Sequence, residues 1–186
     1  SNTYSGAITL AADSSIVSLS GAQTISGAIN GLYGLTITAS DHLTLSGTIG
    51  ATAPPTSLSV TTTGSGILAL NANVTTSGAQ NYTAAGNITI NADRTLVGST
   101  ITTNSALSGA YALTITGNAV FGDGTGTDTV TAGAGNDLIY NSSITDGDSI
   151  DGGTGTDTLS GAALGDDVVA ANFADASGDV AFTMSL

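Results

Sequence analysis

Aliphatic and hydroxyl residues alternate with a period of two through most of residues 1–122. In residues 35–38, 43–45, 88–90 and 113–116, Leu or Ile takes every second position and Thr takes the positions between. This pattern puts aliphatic side chains on one face of a strand and hydroxyls on the other. Gly, Asn, Asp and Ser separate the runs, where the chain must turn. Because helical periodicity is essentially absent, the pattern predicts an all-β fold.

Two all-β architectures fit this pattern, a parallel β-solenoid and a β-sandwich. Three internal echoes bear on the choice: residues 6–13 with 86–93, residues 31–38 with 109–116, and residues 20–23 with 77–80. The first two echoes are too far apart to represent one solenoid coil, but their separation suits several coils of about 20 residues each. The repetition favours the solenoid, with the sandwich as the alternative.

The strings at residues 77–82, 88–93 and 109–118 resemble the β-strand repeats of filamentous-haemagglutinin-like adhesins and other large bacterial exoproteins. The resemblance covers most of residues 1–122 and implies a protein of the cell surface or the extracellular space. On that resemblance, residues 2–6 look like the second half of a repeat. We therefore expect the chain to start within a repeat.

The sequence period changes to nine in residues 123–160. Residues 152–160 match G-G-x-G-x-D-x-U-x at every fixed position, where U is a large aliphatic residue. Residues 123–131 and 132–140 miss only the leading Gly, and residues 143–151 form a degenerate copy after a short insertion, Asn141-Ser142. The glycines allow positive φ, and the sixth position supplies a carboxylate. Such oxygen ligands suit Ca²⁺, whereas the lack of Cys and the single His disfavour zinc or copper.

This segment resembles the calcium-binding parallel β-roll of RTX exoproteins, in which successive nonapeptides wind alternate sides of a roll. The resemblance implies one Ca²⁺ between Asp-bearing turns two nonapeptides apart, which pairs Asp128 with Asp148 and Asp137 with Asp157. The metal-binding positions carried over are Asp128, Asp137, Asp148, Asp157, Gly124, Gly126, Gly133, Gly135, Gly153 and Gly155. The turn of Asp148 lacks both glycines of the pattern. Without the ion these carboxylates would repel one another, so we expect folding of the roll to require Ca²⁺.

Charge separates the same two regions. The chain has 14 acidic residues, all Asp, and one Arg, for a formal charge of −13. Eleven of the Asp lie in residues 123–186. Nucleic acid is not an expected partner, because its phosphates require clustered Lys and Arg, and no apolar run approaches the ~20 residues of a membrane span. We divide the chain into a strand-repeat region at 1–122, a calcium-binding roll at 123–160 and a capping segment at 161–186.

Catalysis is not expected from this composition. The chain has no Glu, one Arg and one His, which is too little for a conventional acid–base site. The string Ser40-Asp41-His42 is interpreted as a surface turn whose His caps it, and not as a catalytic dyad.

These observations favour an extracellular structural protein, such as a fibre, matrix or surface-layer subunit. We expect it to fold and to stack end to end with its own copies when calcium binds. Two alternatives stay open: a fragment of a large adhesin that binds glycan or a cell surface, and an ice-binding β-roll. In the second, Thr125, Thr127, Thr154 and Thr156 would flank the nonapeptide glycines.

Overall fold

The computed structural model describes residues 1–105, 107–108, 113–121, 129–131, 138–140, 149–151, 158–160 and 170–172. Every regular element in these residues is a β-strand. The strands are β1 (Asn2–Tyr4), β2 (Ile8–Thr9), β3 (Ser14–Ser18), β4 (Gln23–Ile25), β5 (Ile29–Asn30), β6 (Gly34–Ala39), β7 (Leu43–Leu45), β8 (Ser57–Thr62), β9 (Leu68–Leu70), β10 (Val74–Thr75), β11 (Gln80–Thr83), β12 (Ile88–Thr89), β13 (Arg94–Thr103), β14 (Leu107–Ser108), β15 (Leu113–Phe121), β16 (Thr129–Thr131), β17 (Leu138–Tyr140), β18 (Ser149–Asp151), β19 (Thr158–Ser160) and β20 (Ala170–Asn172).

Strands β1 to β15 form three parallel stacks, which we call the first, second and third sides. The first side contains β1, β4, β7, β9, β12 and β14. The second contains β2, β5, Ile49, β10 and the first parts of β13 and β15. The third contains β3, β6, β8, β11 and the second parts of β13 and β15. Because the chain visits the three sides in turn, the fold is a parallel β-solenoid, and the β-sandwich alternative is wrong.

Each coil of the solenoid is close to the predicted length of about 20 residues. Residues paired along the first side are Asn2, Gln23, Leu43, Leu68, Ile88 and Leu107. Their numbers rise by similar steps, except for a longer step between Leu43 and Leu68. That longer coil contains Pro54 and Pro55, which lie between strands, where a missing N–H costs no ladder bond. The expected coil length is confirmed.

The interior is filled by the aliphatic residues of the alternating pattern. On the second side the inward column is Ile8, Ile29, Ile49, Val74, Leu96 and Ile115. From Ile29 onward, these side chains are at most 1 % exposed. Burial of each contributes about 1.5–3 kcal/mol. Alternation therefore predicts which residues enter the core.

The internal echoes do not occupy equivalent positions of the solenoid. The expectation that an echo recurs after several whole coils is therefore wrong. Ile8 lies on the second side, whereas its echo Ile88 lies on the first. Gln23 lies on the first side, and its echo Gln80 lies on the third. All three sides use the same inward-outward alternation, so similar strings arise on different sides. The repeated unit is one side with its corner.

Glycines stack where the first side turns into the second. A Cβ added at Gly27 would lie 1.8 Å from the carbonyl oxygen of Gly6, and one added at Gly47 would lie 2.0 Å from that of Gly27. The corners at Gly27 and Gly47 therefore pack their backbone against the carbonyl of the preceding coil, whereas the next coil has Ala72 at the aligned position. Only Gly can occupy these two positions without displacing the backbone.

Beyond β15 the described strands form two alternating stacks. β16 pairs with β18 and β18 with β20, while β17 pairs with β19, all in parallel. The register joins Thr129 to Ser149 and Leu138 to Thr158, so the offset is the same in both stacks. Strand β20 lies within the capping segment at 161–186.

Candidate functional site

The first coil of the solenoid has an open edge. Strands β1, β2 and β3 pair with β4, β5 and β6 respectively, and they stand at the ends of their stacks. No described residue pairs with their other edges. We call this surface, formed by β1, β2 and β3, the N-terminal rim.

The hydrogen bonds of β1 and β2 show which backbone groups face the open edge. In β1, Asn2 N donates to Ala22 O at 3.0 Å, and Tyr4 O accepts from Ser26 N at 2.8 Å. Because hydrogen-bonding groups alternate sides along a strand, the N–H and C=O of Thr3 face away from β4. The same holds for Thr9, because its neighbours Ile8 and Leu10 donate to the following coil. These groups form a template for another parallel strand.

The core is also uncovered at the rim. Tyr4 occupies the inward column above Ile25, and the exposed fractions of the two residues are 46 % and 1 %. Ile8 and Ile16 are likewise only partly buried, although Ile29 and Ile37 directly beneath them are fully buried. The rim thus combines unpaired backbone with accessible apolar side chains, a combination that favours addition of a coil.

The backbone corner of the rim is open as well. A Cβ added at Gly6 would meet no atom within 4 Å. The corresponding Cβ at Gly27 or Gly47 would collide with the carbonyl of the preceding coil. The space in front of Gly6 is therefore the space that a preceding coil would occupy.

A buried polar side chain lies one level below the rim. Gln23 is 1 % exposed, and neither atom of its side-chain amide has a hydrogen-bond partner among the described residues. In the column, Gln23 stands between the exposed Asn2 and the buried Leu43. An unpaired buried amide of this kind costs about 1–3 kcal/mol. The first levels of the core are therefore less favourable than the aliphatic levels below them.

The residues predicted to bind calcium lie outside the described part of the chain. They are Asp128, Asp137, Asp148, Asp157, Gly124, Gly126, Gly133, Gly135, Gly153 and Gly155. The threonines of the ice-binding alternative lie outside it too. Within the described residues, no three His or Asp side chains form a group that could hold a metal ion.

Asp41 and His42 form an exposed pair away from the rim. His42 Nδ1 lies 2.5 Å from Asp41 Oδ1, and the backbone N–H of His42 donates to the same oxygen at 2.8 Å. The side-chain hydrogen bond, followed by the backbone one, lowers the pKa of Asp41. Asp41 and His42 thus stabilise a turn before β7, in agreement with the interpretation as a surface cap.

Arg94 is bound within its own turn. Its guanidinium donates to the carbonyl oxygen of Asp93 at 3.0 Å and to the side chain of Asn91 at 2.7 Å. Arg94 is the only Lys or Arg of the chain, so the sequence contains no cluster of basic residues.

No family model, curated protein or solved structure matches this chain. In the described residues, no helix is long and apolar enough to cross a membrane.

Two features of the rim escape a reading of strand alternation alone. One is the glycine stack, although its signal is present in sequence: Ser5-Gly6, Ser26-Gly27 and Ser46-Gly47 recur once in each of the first three coils. The other is the burial of Gln23, which shares the inward face of β4 with Ile25 although a Gln ordinarily lies on the surface.

Proposed function

We propose that this chain is an extracellular structural subunit that stacks end to end with other copies of itself and binds Ca²⁺ through its nonapeptide segment. A fibre, a matrix or a surface layer would each use such a subunit. The observation that carries the proposal is the N-terminal rim, where three parallel strand edges and the first level of the core can receive a further coil.

The rim supports stacking because β1, β2 and β3 belong to the same coil, so their three outer edges face in the same direction along the solenoid axis. A further coil of the same shape would pair with β1, β2 and β3 at once and would cover Tyr4, Ile8 and Ile16. Burying these three side chains would contribute several kcal/mol at about 25 cal/mol per Å² of apolar surface. A single extended peptide could satisfy only one of the three edges. A second solenoid therefore fits the rim better than a strand from an unrelated protein.

The calcium part of the proposal rests on the nonapeptides and on the strand register around them. Asp128 and Asp148 immediately precede Thr129 and Ser149, which are paired in register. Asp137 and Asp157 immediately precede Leu138 and Thr158, which are also paired. This offset is the one that the carried-over calcium pairs require. A site that fills only at extracellular calcium concentrations would keep the roll unfolded until export.

Light scattering on the purified chain, with millimolar Ca²⁺ and then with EDTA, tests the assembly. We expect a mass well above that of a monomer in Ca²⁺. The informative variant is Gly6→Ala, because its Cβ has free space in the monomer but would collide with the carbonyl of a coil that precedes Gly6 in the way that Gly6 precedes Gly27. This variant should melt at the temperature of the wild-type monomer and should fail to assemble.

A second pair of variants tests the open backbone edge. Thr3→Pro removes the N–H that faces away from β4 and leaves the bonds of Asn2 and Tyr4 intact, so it should also block assembly. Thr3→Val keeps that N–H and is the matched control. A chain that stays monomeric in Ca²⁺, or assembles equally well as Gly6→Ala and Thr3→Pro, would contradict the proposal.

A further inference from the structure

A shallow groove of about 540 Å³ runs along the outside of the third side. It crosses the beginnings of four successive strands, β3, β6, β8 and β11. Each strand contributes outward residues that stand two positions apart in the chain. These residues form two columns along the solenoid axis. One column contains Asp13, Gly34, Ser57 and Ala79, and the other contains Ser15, Thr36, Ser59 and Asn81.

The register makes the lining regular. Ser15, Thr36, Ser59 and Asn81 are successive partners in the parallel ladder, so their side chains form a column along the solenoid axis. With strands about 4.8 Å apart, four levels span about 14 Å. Each level therefore presents a hydroxyl or an amide at a repeated distance.

Small residues keep the groove open at its other edge. Gly34 pairs in register with Ser57, and its N–H donates to Asp13 Oδ1 at 2.8 Å. A Cβ at Gly34 would lie 3.0 Å from Ser57 Oγ, so even a methyl group would narrow the groove. The floor is backbone, because the side chains of Leu35 and Leu58 turn into the core and are 1 % exposed.

We propose that this groove binds a neutral carbohydrate chain laid along the solenoid axis. Hydroxyls donate and accept hydrogen bonds. The amide of Asn81 contributes its N–H donors, because its Oδ1 accepts from Asn104 Nδ2 at 2.8 Å, and the Asp13 carboxylate adds an acceptor beside the bond it receives from Gly34 N. A polyhydroxylated chain offers the same mixture of donors and acceptors at repeated intervals. Binding in this groove does not require stacking through the rim, because the lining residues lie on the outer face of the third side, although Ser15 belongs to the rim strand β3.

Other ligand classes fit the groove less well. An anionic polysaccharide would meet Asp13 and a chain of net charge −13, with the one Arg engaged in its own turn. A peptide cannot add as a strand between the groove strands, because β6, β8 and β11 already have neighbours on both edges, and the unpaired edge of β3 belongs to the rim. An apolar ligand would find no exposed large hydrophobic side chain among the lining residues.

Titration of the whole chain with neutral oligosaccharides tests the site. The probes are cellohexaose, xylohexaose and chitohexaose, with hexagalacturonate as the anionic counterpart. Saturation-transfer NMR measures the binding of each probe. Without aromatic stacking we expect a Kd of about 1 mM, equivalent to about 4 kcal/mol of binding free energy. At least one neutral probe should bind, and hexagalacturonate should not.

Two substitutions locate the binding. Thr36→Tyr fills the middle of the groove from an exposed strand position and should weaken binding at least tenfold, whereas Thr116→Tyr, at an exposed strand position of the second side, should leave it unchanged. Asn81→Ala removes the amide, together with the hydrogen bond that it accepts from Asn104, and should also weaken binding, which keeps the test valid if Thr36→Tyr fails to fold. Binding that survives both groove variants overturns the proposal, as does binding of none of the neutral probes. If the wild-type chain binds none of the sugars but changes the shape of growing ice crystals, the carbohydrate proposal is overturned, and the columns of hydroxyl side chains are interpreted as an ice-binding surface.

Discussion

Gln23 and Gln80 end the same string, Ser-Gly-Ala-Gln, and both point into the core, but only Gln80 has partners for its amide. Gln80 Nε2 donates to Val97 O at 2.7 Å and to Thr76 Oγ1 at 3.1 Å. Its Oε1 accepts from the hydroxyl of Tyr82 at 2.8 Å. Burial raises the pKa of that tyrosine, so the hydroxyl stays protonated and remains a donor.

The contrast between the two glutamines predicts opposite effects of the same substitution. Gln23→Leu removes an unpaired buried amide and continues the aliphatic column of Leu43, so it should stabilise the fold by about 1–3 kcal/mol. Gln80→Leu leaves the buried Tyr82 hydroxyl without its hydrogen-bond acceptor and should destabilise the fold by a similar amount. Urea unfolding of the two variants measures both free energies. Equal destabilisation by the two would show that Gln23 has a stabilising role.

The glycine stack predicts a second contrast. Gly47→Ala places a Cβ 2.0 Å from the carbonyl oxygen of Gly27, which forces the backbone of neighbouring coils apart. We expect a loss of about 3 kcal/mol or more in unfolding free energy. Gly6→Ala, at the first position of the same stack, should change it by less than about 0.5 kcal/mol. Chemical denaturation under conditions that keep both variants monomeric makes the comparison, and similar losses would rule out the stacked-corner explanation.

Calcium should stabilise the nonapeptide segment through the proposed Asp pairs. A ligand present at about 100 times its Kd adds about 2.7 kcal/mol of stability. Asp137→Asn and Asp157→Asn, which remove the carboxylates of one pair, should each lose most of this gain. Asp175→Asn, in the segment after the nonapeptides, is the control with an equal change of charge. Thermal melting followed by circular dichroism, with and without Ca²⁺, reports the difference. If the control loses as much as the pair, the effect is general charge screening.

The Asp41–His42 contact has a measurable signature. Because the side chain of His42 makes the largest contribution to the lowered pKa of Asp41, His42→Ala should raise that pKa toward its usual value. The remaining backbone N–H of residue 42 should keep it from rising fully. With a lowered folded-state pKa, the stabilisation from this contact is present above the unfolded-state pKa and is lost as pH falls through the folded-state pKa. Carboxyl carbon NMR titration measures the shift, and an unchanged value in His42→Ala would exclude the contact in solution.

Much of the fold follows from sequence because alternation and turn chemistry act locally. Runs such as residues 35–38 fix which side chains enter the core, and the spacing of such runs fits the length of one coil. The side to which a strand belongs is not encoded in the same way. Ile8 and Ile88 have nearly identical sequence neighbours but lie on different sides of the solenoid. The side of each strand depends on the lengths of all the corners that precede it in the chain.

The candidate site was harder to predict than the core. The contact between Gly27 and Gly6 joins residues one coil apart, so alternation within single strands does not reveal it. Gln23 is buried because it shares the inward face of β4 with Ile25, between Asn2 and Leu43 of the adjacent coils, whereas a Gln ordinarily lies on the surface. The groove likewise results from the alignment of small residues, such as Gly34 and Ser57, that belong to adjacent coils.

The stacked glycines also give the solenoid a direction. A Cβ at Gly27 or Gly47 points toward the preceding coil, so the two faces of a coil are not interchangeable. Two rims that met face to face would bring their strands together antiparallel and could not continue the parallel ladders. If copies stack as proposed, the contact between them is head to tail, a heterologous contact that never closes on itself when successive copies share one axis. A fibre built this way would be polar, would grow at chemically distinct ends, and could be stopped at one of them by a single methyl group.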